Sequence, residues 1–380
     1  MKKTHLLFIL MLLTSLIMHA QHQIGHTTIY FTDPDRGDRE IQTEIYYPAT
    51  TAGDDVAVAT GSFPVIIFGH GFVMAWDSYA NFWEEFVPKG YFMAFPRTEG
   101  GIPPDHGEFG MDLAFLTDAM QAENTSSGSL FFGKVTNKTA VMGHSMGGGS
   151  SFLAAEANPN ITTLVNFAAA ETDPSSTTAA ANVTIPAVVF AGAEDGVAPP
   201  AENQIPMYNA LASNCKTYIG ILEGGHCYFA NYNFNCSLGE MVPPPLPRDE
   251  MHEIIFNFLN PWLNYQLKGD YPSYLAFNDS LQNSDRITYE QDCDLTTAEL
   301  TEKQHLDFYP NPVKDILYID FSDQKNKEAI EITDATGRVI MNILVTEKSS
   351  QIDVSNLKPG LYFLKFKSEN KTNTNKFIKL

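Results

Sequence analysis

The chain is short of positive charge: 24 lysines and arginines stand against 45 aspartates and glutamates, a net charge of −21 over 380 residues. Nucleic acids and anionic membranes are held by basic patches, so a chain this acidic is not expected to bind either. The imbalance is local. Residues 306–380 are nearly neutral and residues 1–20 carry two lysines, which leaves residues 21–305 with a net charge of −24. That surface suits a neutral or cationic substrate, not a polyanion. Cysteine is sparse too, with only Cys215, Cys227, Cys236 and Cys293. None of their spacings reads as a zinc site, and no metal, nucleotide or flavin is expected as a cofactor. Long apolar runs are missing except at the N-terminus, and there is no internal repeat or low-complexity tract. The hydrophobic share of 44% is that of an ordinary globular protein, and the length suits one large domain with a smaller one.

The one apolar run explains the compartment. Lys2 and Lys3 precede Leu6 to Met18, and His19-Ala20-Gln21 follows. A basic start, a short apolar core and a small exit residue read as a secretory signal peptide cut after Ala20; a membrane anchor needs a longer stretch. In an exported chain four cysteines suggest two disulfides. Cys227 and Cys236 close a short loop and are the preferred pair, leaving Cys215 and Cys293 to tie the end of the large domain to its sheet. The alternative is one bridge and two buried thiols.

Beyond residue 21, strand and helix signals alternate. Strands are expected at Pro64–Phe68, Tyr91–Phe95, Thr139–Met142, Thr162–Ala168, Pro186–Phe190 and Lys216–Leu222. Helices are expected at Asp77–Val87, Glu108–Glu123, Ser150–Ala157 and Ala201–Leu211, and at Arg248–Leu267 with an interruption near Pro261. This alternation implies an α/β fold with a doubly wound, mostly parallel sheet covered on both faces. Residues 21–275 form that domain. Residues 276–305 are polar and poorly periodic, as in a tail and linker. Short β-like runs separated by Asx, Gly and Pro fill 306–380 and point to a small β-sandwich.

Gly143-His144-Ser145-Met146-Gly147 lies between an expected strand and an expected helix. A serine on so tight a turn is pushed into an exposed, strained geometry, and the following helix aims backbone N–H groups at a developing oxyanion. Ser145 is therefore the expected nucleophile. It needs a base and an orienting carboxylate, which in such sheets follow on later strand ends in the order acid, then histidine. Asp195 follows the run Pro186–Gly192, with Glu194 as its rival. His226 follows Lys216–Leu222 and alone among the ten histidines ends a strand after Asp195. His144 is expected to turn inward and serve the fold. The Met146 N–H and the Phe72 N–H, in Gly69-His70-Gly71-Phe72, are the expected oxyanion donors.

These residues carry a resemblance. Residues 26–270 resemble α/β-hydrolases, and within them cutinase-like polyester hydrolases and related secreted esterases. The extended elbow Gly143 to Gly149, Phe72, Gly192-Ala193-Glu194-Asp195 and Gly225-His226-Cys227-Tyr228-Phe229 match that group. The resemblance implies a secreted serine ester hydrolase acting through an acyl-enzyme on bulky or polymeric esters. A lipase or small-acyl esterase on the same triad is the alternative, with a non-catalytic adhesin or a peptidase less favoured. Phe72, Met146 and Trp76 are expected to contact substrate, and Phe72, Met74, Met146 and Phe229 to line an open cleft. Where many polyester hydrolases carry a tryptophan, this chain has Ala168-Ala169-Ala170-Glu171, which puts activity on aromatic polyesters in doubt. The roughly seventeen residues from Ala168 to Pro186 leave no room for a large lid. The C-terminal region resembles the sorting domain of the type IX secretion route in Bacteroidota, through Tyr309-Pro310-Asn311-Pro312, Asp334 to Arg338, Leu357 to Tyr362 and Lys376 to Leu380. That implies passage across the outer membrane with the type IX machinery as partner, and removal of the tail.

Overall fold

A computed structural model describes residues 21–293, 306–321, 328–334, 338–345, 349–368 and 371–380. The expected signal peptide, and residues 294–305 of the expected linker, lie outside the described residues. The described part forms two units that divide after Asp294.

The first unit is built on ten strands: β1 Gln23–Asp33, β2 Arg39–Ala49, β3 Gly53–Asp54, β4 Phe63–Gly69, β5 Phe92–Pro96, β6 Val135–His144, β7 Thr163–Phe167, β8 Ala187–Gly192, β9 Cys215–Ile221 and β10 Ile287–Cys293. They form one sheet in the order β10-β9-β8-β7-β6-β4-β5-β2-β1-β3. The inner strands β5, β4, β6, β7, β8 and β9 pair parallel, whereas β2 joins β5, β1 joins β2 and β10 joins β9 antiparallel. This is the expected doubly wound α/β sheet. Among its inner strands β4, β5 and β8 are apolar and buried throughout, because both faces of the sheet are covered. In β4, Ile66 and Phe68 face one core with Phe82, Phe86 and Trp262, while Val65 and Ile67 face the other with Leu113, Leu116 and Phe152.

The helices are α1 Ala80–Phe86, α2 His106–Glu123, α3 Met146–Ala157, α4 Ser176–Ala180, α5 Gln204–Ala210, α6 Phe234–Gly239, α7 Arg248–Lys268 and α8 Tyr271–Asn283. The Asp105 side chain caps α2 by accepting the Glu108 N–H at 2.9 Å. Between α2 and the β1–β2 hairpin the wholly buried Asp112 carboxylate takes Arg36 at 2.6 Å and Arg39 at 2.8 Å. Two guanidinium groups are what make so dry a carboxylate tolerable.

Two expectations need correction. The helix at 248 is not interrupted: α7 runs through Pro261. The proline removes one backbone bond, but Phe258, Leu259, Trp262 and Leu263 stay buried on both sides of it, and that packing carries the helix through. Nor are residues 276–293 a tail. They complete α8 and form β10, which pairs with β9 along its whole length and is bridged to it by Cys215–Cys293. An edge strand with one exposed face and a polar composition shows no apolar run, so periodicity alone misses it.

The second unit comprises β11 Leu306–Tyr309, β12 Ile316–Phe321, β13 Glu328–Asp334, β14 Val339–Val345, β15 Ser349–Asp353, β16 Gly360–Ser368 and β17 Lys371–Lys379. They make sheets ordered β11-β12-β15 and β14-β13-β16-β17, antiparallel throughout. Leu317, Ile319, Ile330, Ile332, Ile352, Leu364 and Phe377 fill one core between them, the expected β-sandwich.

Candidate active site

Ser145 joins β6 to α3 with a φ of 55°, a conformation that side chains adopt only under constraint. Close packing supplies the constraint. A β-carbon on Gly143 would run into the Gly147 backbone, and one on Gly147 into Gly69 at the end of β4. The Ser145 N–H donates to the Phe167 carbonyl at 3.0 Å, and the Ser145 carbonyl accepts from the Gly149 and Ala170 N–H groups, each at 3.0 Å. Ser145 itself remains partly exposed.

Asp195 and His226 leave the same end of the sheet, after β8 and β9. The Asp195 Oδ2 takes His226 Nδ1 at 2.7 Å, and its Oδ1 accepts the Val197 and Ala198 N–H groups at 2.8 Å each. Both side chains are buried, whereas the rival Glu194 is exposed. A dry carboxylate holding the imidazole on one nitrogen fixes its tautomer and leaves Nε2 as the basic atom.

His144 turns inward, as expected, and is fully buried. Desolvation, and then the neighbouring His226, push its pKa well below the usual histidine range, so it is neutral. Its contacts agree with one tautomer. Its Nε2 donates to the His226 carbonyl at 3.0 Å, and its Nδ1 pairs with the Tyr79 hydroxyl at 3.0 Å, which accepts the Gly71 N–H at 2.8 Å. One uncharged rod thus joins the turn at residue 71, the elbow and the histidine loop.

The expected oxyanion donors lie on these supports. The Met74 N–H closes a turn onto the Gly71 carbonyl at 3.1 Å, and Val73 takes a φ of 50° within it. Phe72 occupies the first central position, whose N–H such a turn leaves unused. Met146 opens α3, where the first N–H groups have no partner within the helix. Of the side chains expected to meet substrate, Phe72 is 46% exposed but Met146 only 3%. Trp76 is partly buried, bonded through Nε1 to the Tyr46 hydroxyl at 3.3 Å and covered by the Arg97 guanidinium. Met74 and Phe229, expected in the cleft, are both buried in the core, but Met74 also lines the cleft that opens beside the Phe72 turn, whereas Phe229 is wholly buried. Ala168 and Ala169 are also buried, Ala169 against Gly148 of α3, so no aromatic wall stands there. Every residue between β7 and β8 is described, and among them the only helix is the five-residue α4, so that connection forms no large lid.

The four cysteines pair as preferred, Cys227–Cys236 and Cys215–Cys293. Closing loops with separations of 9 and 78 residues stabilises by about 2.5 and about 4.5 kcal/mol in the chain-entropy account.

Sequence reasoning missed the groups that hold the histidine loop. The Glu240 carboxylate accepts the His226 N–H at 2.5 Å and the Cys227 N–H at 3.0 Å. Burial raises its pKa, against the opposing pull of those two N–H groups. From the other side Arg248 donates to the Cys227 and Ala230 carbonyls at 2.5 Å each while lying over the Tyr228 ring, and Asn81 donates to the Phe229 carbonyl at 3.0 Å. Gly225 is the only trace of this in the sequence: a β-carbon there would collide with the Glu240 carboxylate. Glutamine at 240 keeps one acceptor but presents an NH₂ to the second N–H. Glu240→Gln is therefore expected to lower kcat about tenfold with little change in KM, through a less well held base. Steady-state kinetics checks it, and a change confined to KM would contradict it.

Residues 41–242 match the family described as PET hydrolase-like, and residues 307–380 match the secretion system C-terminal sorting domain. Over 183 residues the chain is 25% identical to a bis(hydroxyethyl) terephthalate hydrolase of Streptomyces coelicolor, covering 48% of this chain and 54% of that protein. The chain thus spans about half the length of this curated relative.

Proposed function

The chain belongs to the PET hydrolase-like family, and from that premise we propose that it is a secreted serine hydrolase of carboxylic esters, acting on bulky or polymeric substrates. The observation that carries this reading is the buried Asp195–His226 pair, held at 2.7 Å on the sheet end where Ser145 is forced into its positive φ.

In the proposed reaction the Ser145 Oγ attacks the ester carbonyl carbon as His226 Nε2 takes the hydroxyl proton. Negative charge collects on the carbonyl oxygen, opposite the Phe72 and Met146 N–H groups, donors that need no reorganisation when the charge arrives. The carbon–oxygen bond to the alcohol breaks, and the leaving oxygen takes the proton from His226. Water then gives a proton to His226 and attacks the acyl-enzyme. The carboxylic acid departs and Ser145 regains its proton. Asp195 stays ionised throughout and stabilises the transient imidazolium. The neutral His144 behind the ring adds no opposing charge. The exposed Phe72 and the short α4 favour bulky esters, which a large lid would exclude. The C-terminal unit, matched to the sorting domain, would direct export across the outer membrane through the type IX machinery and is separate from the chemistry.

A fluorophosphonate ester tests the assignment. It should add one phosphonyl group per chain, on Ser145 by peptide mapping, and abolish hydrolysis of bis(2-hydroxyethyl) terephthalate. Labelling of another residue with turnover retained would overturn it.

A further inference from the structure

Beside the turn that carries Phe72 the surface opens into a cleft of about 310 Å³. Its walls come from three segments: Val73 to Trp76 after β4, Arg97 and Gly100 after β5, and Asn233 and Asn235 beyond His226. The registers of β4 with β6 (Gly69 opposite Gly143) and with β5 (Ile67 opposite Ala94) put those segments at the same sheet end as the elbow. The cleft therefore adjoins the candidate oxyanion donors.

Its charge is unlike that of the chain. Among the described residues no acidic side chain lines it, although the chain has 45, and the only charged wall is Arg97. His70 lines it as well, but its ring nitrogens face the Gly71 and Thr98 carbonyls at 2.9 Å each. Arg97 is built into place. Its guanidinium lies 4.2 Å from the centroid of the Trp76 ring, and Nη1 donates to Glu44 Oε1 at 3.0 Å. The other Glu44 oxygen already serves His26 and Thr28, at 2.9 and 2.7 Å. One carboxylate shared among three partners engages only one of the five guanidinium N–H groups, and the side chain stays 38% exposed. A planar donor fixed by stacking, whose other N–H groups have no partner among the described residues, is suited to a carboxylate. Asn235 braces the wall by donating to the Val73 carbonyl at 2.9 Å.

We propose that this cleft is a carboxylate subsite, with Arg97 as its anchor, through which the site accepts half-esters of dicarboxylic acids. The inference rests on the ester-hydrolase reading. It gives the site two successive turnovers on one diacid. A neutral diester first loses one alcohol, and the half-ester so formed returns with its new carboxylate at Arg97 and its remaining ester at Ser145. Each passage consumes one water and releases one alcohol.

Diethyl terephthalate and monoethyl terephthalate, which differ in one ethyl group and in charge, test it. The readout is the ratio of kcat/KM for the half-ester to that for the diester. Arg97→Gln should lower this ratio about tenfold, mainly through the KM of the half-ester, and Arg97→Lys should restore part of it. Raising sodium chloride from about 0.05 to about 0.5 M should lower the ratio in wild type and not in Arg97→Gln. Because Arg97→Gln leaves Glu44 without its guanidinium partner, Glu44→Gln/Arg97→Gln is measured beside it and should show the same fall. An unchanged ratio in both variants overturns the proposal. Failure of wild type to turn over the diester would instead defeat the hydrolase reading. Calorimetric titration of Ser145→Ala with monoethyl terephthalate then decides the subsite without turnover: binding should weaken about tenfold on adding Arg97→Gln, and equal binding overturns it.

Discussion

Replacing Asp195 with asparagine will leave the fold standing and lower ester turnover by about 10⁴-fold. The hydrogen bonds at Asp195 dictate both halves of that result. Oδ1 accepts the Val197 and Ala198 N–H groups, so the single oxygen of an asparagine is claimed by the backbone. The amide NH₂ then occupies the Oδ2 position, 2.7 Å from His226 Nδ1. Two donors cannot face each other there, and the imidazole must move its proton to Nε2, the atom proposed to take the serine proton. The base is lost without moving a heavy atom. Stopped assays with circular dichroism and melting curves check this. A variant that unfolds, or one with turnover within about tenfold of wild type, would contradict the tautomer argument.

Ser145→Ala should lower kcat/KM by about 10³-fold or more on every ester tested, a loss of about 4 kcal/mol or more in transition-state stabilisation. Alanine must hold the same positive φ, but it is no larger than serine and keeps the three backbone hydrogen bonds of the elbow. The folded state should therefore persist, and the residual rate should reflect only the oxyanion donors and binding. Comparable turnover by variant and wild type would reject Ser145 as the nucleophile.

The parts of the molecule that could be read from the sequence share a cause. Gly143 and Gly147 mark an elbow because backbones touch there, and a contact between backbones excludes every side chain. Asp195 and His226 stand out because each lies on the short turn that leaves a strand of the sheet, within five residues of its end. Glu240 and Arg248 give no such signal. They act on backbone atoms 14 and 21 residues earlier, and a charged residue in a loop, or at the first position of a helix, looks like any solvated one. Strand β10 was hidden for a related reason. Its burial is settled by its partner β9, with only Ile287 fully inside, so its own residues show little of the pairing. The cleft facing of Phe229 failed in the opposite way: an apolar side chain near a site also serves the core beneath it, and the core took this one whole, whereas Met74 packs in that core and still lines the cleft.

The spacing of the two disulfides bears on the order in which the chain can be made. In an oxidising compartment entered N-terminus first, Cys215, Cys227 and Cys236 arrive together while Cys293 is still 78 residues behind its partner. Three thiols invite a wrong match. The separation of nine between Cys227 and Cys236 favours their meeting first, since short loops close at the smallest entropy cost, and their union withdraws two of the three competitors. Cys215 is left with Cys293, the one other cysteine of this sequence still unpaired. The nearer bridge acts as a chaperone in time for the farther one, and the last seam on the hydrolase sheet closes just ahead of the segment that leads to the sorting tail.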